Sequence, residues 1–152
     1  MRTYSDQDVQ LMRQAIEQGA KCTSVDTAYN VGALITDQNG TVLSTGYSRQ
    51  LPGNTHAEQC ALQAIDPETD LTGTIMYTTM EPCSKRLSGN LPCVQRILNA
   101  GIKKVFVGVC EPPNFVQCTG VSELKQHGVE VVHVDEVEEE CQKLNRHLHQ
   151  AK

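Results

Sequence analysis

Residues 74–109 read TIMYTTMEPCSKRLSGNLPCVQRILNAGIKKVFVGV, and the order of elements within them decides the fold. TIMYTT (74–79) is rich in the residues that favour a pleated strand, and KKVFVGV, with the apolar run VFVGV after its two lysines, reads as a buried strand. Between them Pro92, with no amide hydrogen to leave unpaired, suits the first turn of a helix running to Ala100 and stopping at Gly101. Outward from this unit the alternation continues. A short helix over 120–127, the strand VEVVHV and a last helix from Asp135 follow it. Before it, Ser5 caps a helix over residues 6–18 whose Val9, Met12 and Ile16 recur at helical spacing, with Gly19 as its stop. NVGALIT (30–36) and TVLSTGY (41–47) form paired strands around the turn Asp37-Gln38-Asn39-Gly40. A helix from about His56 to Ile65 ends at Asp66-Pro67. After the first hairpin, strand and helix alternate, which predicts an α/β sandwich with a mostly parallel sheet and helices on both faces.

Composition bounds the function. A chain of 152 residues with 39% apolar and 20% charged residues is expected to be one domain, 1–152, with a real core. No stretch approaches the about 18 apolar residues of a membrane span, and the polar start MRTYSDQDVQ does not read as a signal peptide. Net charge of -5 argues against nucleic acid as a partner, since phosphates call for a basic face. Seven cysteines without an export signal predict a cytoplasmic protein whose thiols fill core or bind metal. The acids Glu136, Glu138, Glu139 and Glu140 precede the bases Lys143, Arg146 and Lys152, which matches the dipole of the last helix, so EVEEE reads as a solvated face. His147 and His149 are assigned no metal role.

Cys83 and Cys93 each follow a proline, and NTHAEQC lies upstream with His56 27 residues before Cys83. His56 and Cys93 fall at predicted helix starts, and such starts converge where an α/β sheet forms its cleft. His56, Cys83 and Cys93 would then make a His-Cys-Cys set suited to one zinc, with a fourth position open to water. Glu58, in His-Ala-Glu, is the non-ligand carboxylate that could move protons, the pattern of the zinc deaminases. Blander readings remain beside this one. Thr55 and Glu58 also fit a capping box, each cysteine alone fits a core position, and Cys60 could be a fourth ligand of a closed structural site.

Across HAEQCAL, MYTTMEPCSKRLSGNLPC, ILNAGIKKVFVGVCEPPNFV, LKQHGVEVV and EECQKLNRHL the sequence resembles the cytidine-deaminase superfamily, in particular its riboflavin-biosynthesis branch. The resemblance implies a three-layer α/β/α sandwich around a central five-stranded mixed sheet. It makes His56, Cys83 and Cys93 the ligands of one zinc per chain and Glu58 the proton shuttle. Nine residues separate the two cysteines, where nucleoside and transfer-RNA deaminases usually have two, and EPCSKRLSGN is similar to the fungal riboflavin enzymes. The implied reaction converts 2,5-diamino-6-(ribitylamino)pyrimidin-4(3H)-one 5'-phosphate to the 5-amino-6-ribitylamino-pyrimidinedione 5'-phosphate and ammonia. A nucleoside, cytidine or RNA adenosine deaminase, and a non-catalytic zinc-binding module, are the alternative readings. Lys85 and Arg86 are candidate phosphate contacts. Bacterial members have a His at the place of Ser48, whose charge Arg49 could supply, and Asn30 could hydrogen-bond the ring or sugar chain. The resemblance also implies a homodimer with a small-molecule phosphorylated pyrimidine as substrate and no membrane partner.

Overall fold

The structure is a computed structural model, and it describes residues 4–22, 30–51, 55–66, 68–82, 92–109 and 120–145. Five helices and five strands follow one another as α1 (Asp6–Gly19), β1 (Gly32–Thr36), β2 (Val42–Tyr47), α2 (Ala57–Gln63), β3 (Ile75–Met80), α3 (Cys93–Ala100), β4 (Lys104–Val109), α4 (Gly120–Gln126), β5 (Glu130–His133) and α5 (Glu138–Lys143) among the described residues. The last helix does not start at Asp135, because Asp135–Val137 form a 3-10 turn that delivers the chain into α5. Ser5 caps α1 as its sequence predicts: its hydroxyl accepts from the Asp8 amide at 3.2 Å and Asp8 returns a bond to the Ser5 amide at 2.8 Å.

The strands lie in the order β2-β1-β3-β4-β5. β1 is antiparallel to both β2 and β3, while β3–β4 and β4–β5 are parallel. The sheet is therefore mixed, as the family resemblance implies, and mostly parallel, as the alternation predicts: β2, β3, β4 and β5 run in one direction and β1 is reversed. The crossover through α2 does connect two strands of the same direction, β2 and β3, but β1 of the hairpin is inserted between them. Side chains alternate across the sheet with the period of two that a strand requires. Leu34, Tyr77, Phe106 and Val132 join Val9, Met12 and Cys141 in a core beneath α1 and α5. Ile35, Met76, Val105 and Val107 join Ala61, Val94, Ile97 and Leu124 in a second core beneath α2, α3 and α4. Helices thus cover both faces, giving three layers.

Two glycines let helices lie directly on strand backbone. A Cβ at Gly32 would stand 1.8 Å from the Ala15 carbonyl oxygen of α1, and one at Gly46 would stand 2.4 Å from the Ala57 carbonyl oxygen of α2. The second contact sets the height of α2 over β2, and with it the position of the residues at the start of α2. Among the described residues no helix is long and apolar enough to cross a membrane.

Candidate active site

The strand directions put one end of the sheet to use. β3 and β4 finish where β1 begins and β2 ends. Asn30, Ser48, Arg49, His56, Glu81 and Cys93 all belong to the segments leaving or entering the elements at that end. Open α/β sheets place ligands beyond such strand ends, at a change in strand order like that between the antiparallel and parallel pairings here.

His56 is the residue before α2, with extended backbone (φ -94°, ψ 157°). Cys93 is the first residue of α3 and is fully buried. Their reactive atoms meet: Cys93 Sγ lies 3.4 Å from His56 Nδ1. Zinc bonds of about 2.0–2.1 Å to nitrogen and about 2.3 Å to sulfur at a tetrahedral angle would hold the two atoms roughly 3.5 Å apart. The pair therefore has the spacing and the donor chemistry that zinc accepts. Cys83, Lys85 and Arg86 lie outside the described residues. Cys60 is buried on α2, with its Cβ against Gly46 of β2. Among the described residues no three His, Cys, Asp or Glu side chains gather to hold a metal, so Cys60 does not join His56 and Cys93 in a closed site.

Glu58 is the second residue of α2, and only 3% of it is exposed. The capping box that Thr55 and Glu58 could form is not made. Thr55 Oγ1 instead donates to the Leu51 carbonyl at 2.9 Å and accepts the Leu51 amide at 3.2 Å. The cap shifts one residue on, so the side chain returning to the helix start is that of Gln59, whose Oε1 accepts the His56 amide at 3.5 Å. Glu58 is released from capping and faces β3, where its Oε2 lies 3.5 Å from Thr78 Oγ1. The Thr78 hydroxyl makes its shorter bond, 2.9 Å, to the Met80 carbonyl.

The other three described candidates sit in one hydrogen-bonded knot. Ser48 Oγ accepts the Val31 amide at 2.9 Å and so extends the β1–β2 pairing. Arg49 has φ 62°, a backbone conformation that non-glycine residues rarely hold. Its amide donates to the Thr55 carbonyl at 2.6 Å, which joins the end of β2 to the residue beside His56. The Arg49 guanidinium donates to Asn30 Oδ1. Asn30 in turn donates through Nδ2 to the Leu144 carbonyl at 3.1 Å, and Asn145 Nδ2 donates to the Asn30 carbonyl at 3.1 Å. Sequence reading misses Asn145 because its partner is 115 residues away. It also misses Thr78 and Glu81, whose places beside Glu58 and Pro82 become visible only once the strands are assembled.

A sequence model described as the cytidine and deoxycytidylate deaminase zinc-binding region matches residues 5–109. The chain is 43% identical over 144 residues to the diaminohydroxyphosphoribosylamino-pyrimidine deaminase of Schizosaccharomyces pombe, a match covering 93% of this chain and 35% of that protein. Its fold is similar to that of the diaminohydroxyphosphoribosylaminopyrimidine deaminase/5-amino-6-(5-phosphoribosylamino)uracil reductase of Thermotoga maritima, with a TM-score of 0.83 and 31% identity over 94% of this chain and 40% of that one. It is similar also to a C-terminal deletion mutant of the Aspergillus oryzae Rib2 deaminase in complex with DARIPP, with a TM-score of 0.79 and 31% identity over 95% of this chain and 93% of that one. The chain spans about a third of the length of the curated relatives it matches.

Proposed function

Because this chain belongs to the cytidine and deoxycytidylate deaminase family, we propose that it is a zinc-dependent hydrolytic deaminase of riboflavin biosynthesis. Its substrate in this reading is 2,5-diamino-6-(ribitylamino)pyrimidin-4(3H)-one 5'-phosphate. The observation that carries the substrate class is the likeness to the Rib2 deaminase in complex with DARIPP, which this chain matches over 93% of that chain.

His56, Cys83 and Cys93 would hold the metal, and the 3.4 Å approach of His56 Nδ1 to Cys93 Sγ supports the two described members of that set. Zinc, when bound there, supplies an electrophile that makes water a nucleophile near neutral pH. The protons fall to Glu58. Water adds to the ring carbon bearing the amine, the amine leaves as ammonia, and the ring keeps a carbonyl. The carboxylate of Glu58 takes a proton from the attacking water and delivers one to the departing nitrogen. Burial on α2 keeps that carboxylate out of bulk water, and Gln59 leaves it no capping duty.

Arg49 is the charged contact in this reading, held at its angle by Asn30, while Ser48 spends its hydroxyl on Val31. Lys85 and Arg86 would add charge for the phosphate. A homodimer, which rests on the family resemblance, and a cytoplasmic location, which rests on the cysteine usage, go with the reading. The deciding experiment offers zinc-loaded protein the reduced and unreduced diaminopyrimidinone phosphates, cytidine and deoxycytidylate, and measures ammonia. Release from the reduced phosphate is expected. Release from cytidine or deoxycytidylate alone would move the chain to nucleotide metabolism, and release from none would end the proposal.

A further inference from the structure

Glu81 directly follows β3, and its backbone and side chain do different things. Its amide donates to the Val109 carbonyl at 2.9 Å, which carries the β3–β4 ladder one residue further. Its carboxylate, in a residue only 8% exposed, accepts the Val121 amide through Oε2 at 3.1 Å. Val121 stands in the first turn of α4, 40 residues away in sequence. Next to it, Gly120 lies so close to the following residue of the strand end that a Cβ would come within 1.8 Å of the Pro82 carbonyl oxygen. That same Cβ would be 3.2 Å from Val94 Cγ2 in the first turn of α3. Glu81, Pro82, Val94, Gly120 and Val121 therefore clamp three chain segments together. Two of those segments supply the metal ligands: Cys83 follows Pro82 directly, and Cys93 directly precedes Val94.

We infer that Glu81 is a positioning residue for the metal centre. Its carboxylate fixes the start of α4 against the strand end that delivers Cys83 and the helix start that delivers Cys93. A carboxylate is costly to bury unless its oxygens find donors, and an amide at a helix start is a donor with no partner inside the helix. Each group answers the other's need, and the ligand-bearing segments are held as a consequence. The inference rests on the zinc reading above. It differs from an ordinary helix cap in one respect: a cap contributes to stability alone, whereas outer partners that orient metal ligands also set metal affinity.

The test compares zinc affinity in wild type, Glu81→Ala, Glu81→Gln and Cys83→Ala, by competition with a chromophoric chelator at a temperature where circular dichroism shows each protein folded. Glu81→Ala is expected to bind zinc about 10-fold more weakly, the low end for losses of outer metal-site partners, because Glu81 acts through the Val121 amide and the segments it holds. Glu81→Gln, which keeps an acceptor oxygen, should return most of that affinity. Wild-type affinity in folded Glu81→Ala, with only a lower melting temperature, would reduce Glu81 to a cap and overturn the inference. Equal weakening in Glu81→Gln and Glu81→Ala would overturn the hydrogen-bond account. Should Glu81→Ala not fold, Gly120→Ala presses on Pro82 from the other side and must weaken zinc binding, and unchanged affinity there is equally fatal. Loss of zinc in Cys83→Ala is the separate control, since retention in that variant, or no binding by wild type, overturns the metal site itself.

Discussion

Cys141 and Cys93 are both buried, at 1% and 0% exposure, yet they sit on opposite faces of the sheet and, in the zinc reading proposed above, have opposite tasks. Cys141 lies within α5, its sulfur over Gly108 of β4, where a Cβ would come within 2.3 Å of it. Burial, aided by Glu140 and Glu138, pushes its thiol up to about 12. Such a thiol stays protonated and acts as a small apolar plug. Cys93 opens α3, where the amides of the first turn have no partner inside the helix, and an imidazole nitrogen lies 3.4 Å from its sulfur. Burial by itself does not separate a ligand from a core residue. The position along the helix and the neighbour at the sulfur do. The same division holds for the faces as wholes: α1 and α5 close a core, while α2 and α3 turn their starts toward the candidate site.

The widest break between the faces comes from removing each sulfur. Cys93→Ala is expected to abolish zinc uptake, measured by metal analysis after dialysis, and activity with it. Cys141→Ala is expected to keep a full equivalent of zinc and to lose about 1 kcal/mol of stability for the lost packing. Zinc retained in the first variant, or lost in the second, would reverse the assignment of the two faces.

Glu58→Gln comes next. The amide keeps the shape and hydrogen-bonding reach of the side chain but is neither acid nor base near neutral pH. Gln59 already closes the helix start, so no cap is lost. The variant should fold, bind zinc and lose on the order of 10² to 10⁴ in turnover. Near-normal turnover in the folded, zinc-loaded protein would remove Glu58 from the chemistry.

The closed face answers with stability in place of rate. Gly32→Ala would put a methyl group 1.8 Å from the Ala15 carbonyl oxygen and 2.4 Å from the Gly19 nitrogen, both of them backbone atoms of α1. No rotamer relieves that clash, so α1 must move, at a cost of about 3 kcal/mol by the usual scale of overpacking. Denaturant unfolding measures it. A loss under about 0.5 kcal/mol, the range of an ordinary surface change, would mean that the contact between α1 and β1 is looser than described.

Much of this division was legible in the sequence, and the reasons differ by residue. The helix at Ser5, the strands around Gly40 and the helix ending at Gly101 carry local signals of capping and turn formation, so they could be read within a few residues. His56 and Cys93 could be singled out because metal chemistry restricts which residue types serve and where on a helix they stand, and the structure brings their Nδ1 and Sγ to 3.4 Å. The place of β1 in the sheet was not legible, since its insertion between β2 and β3 is a pairing of distant segments that leaves no local trace. For the same reason Asn145 and Glu81 passed as ordinary polar residues. Their partners, Asn30 and Val121, are 115 and 40 residues away. The shift of the cap from Thr55 to His56 failed to show because Thr55 is drawn off by Leu51, a competition that composition does not reveal.

A last, small effect tests whether the closed face is held by polar contacts as well as by packing. Tyr77 stacks on Phe106 with ring centroids 4.7 Å apart and 4° between their planes, and its hydroxyl donates to Asp8 Oδ1 at 2.6 Å. Asp8 also receives the Ser5 amide, so one carboxylate ties the start of α1 to the centre of β3. Tyr77→Phe keeps the ring and deletes that bond, and should cost about 1.5 kcal/mol, the low end for a hydrogen bond to a charged group. Burial first, and the bond to Asp8 second, hold the phenol of Tyr77 well above its ordinary range. The folded protein therefore keeps this proton after the unfolded chain has lost it. Stability contributed by the protonated phenol is complete below about pH 10 and declines as pH rises beyond that value, where the unfolded state ionises first. The gap between wild type and Tyr77→Phe should accordingly stay constant up to about pH 9 and narrow above about pH 10, because only wild type carries the linkage. Urea unfolding across that range reads it directly, and a gap that widens in alkali would show that the phenol ionises more easily in the folded protein than in the open chain.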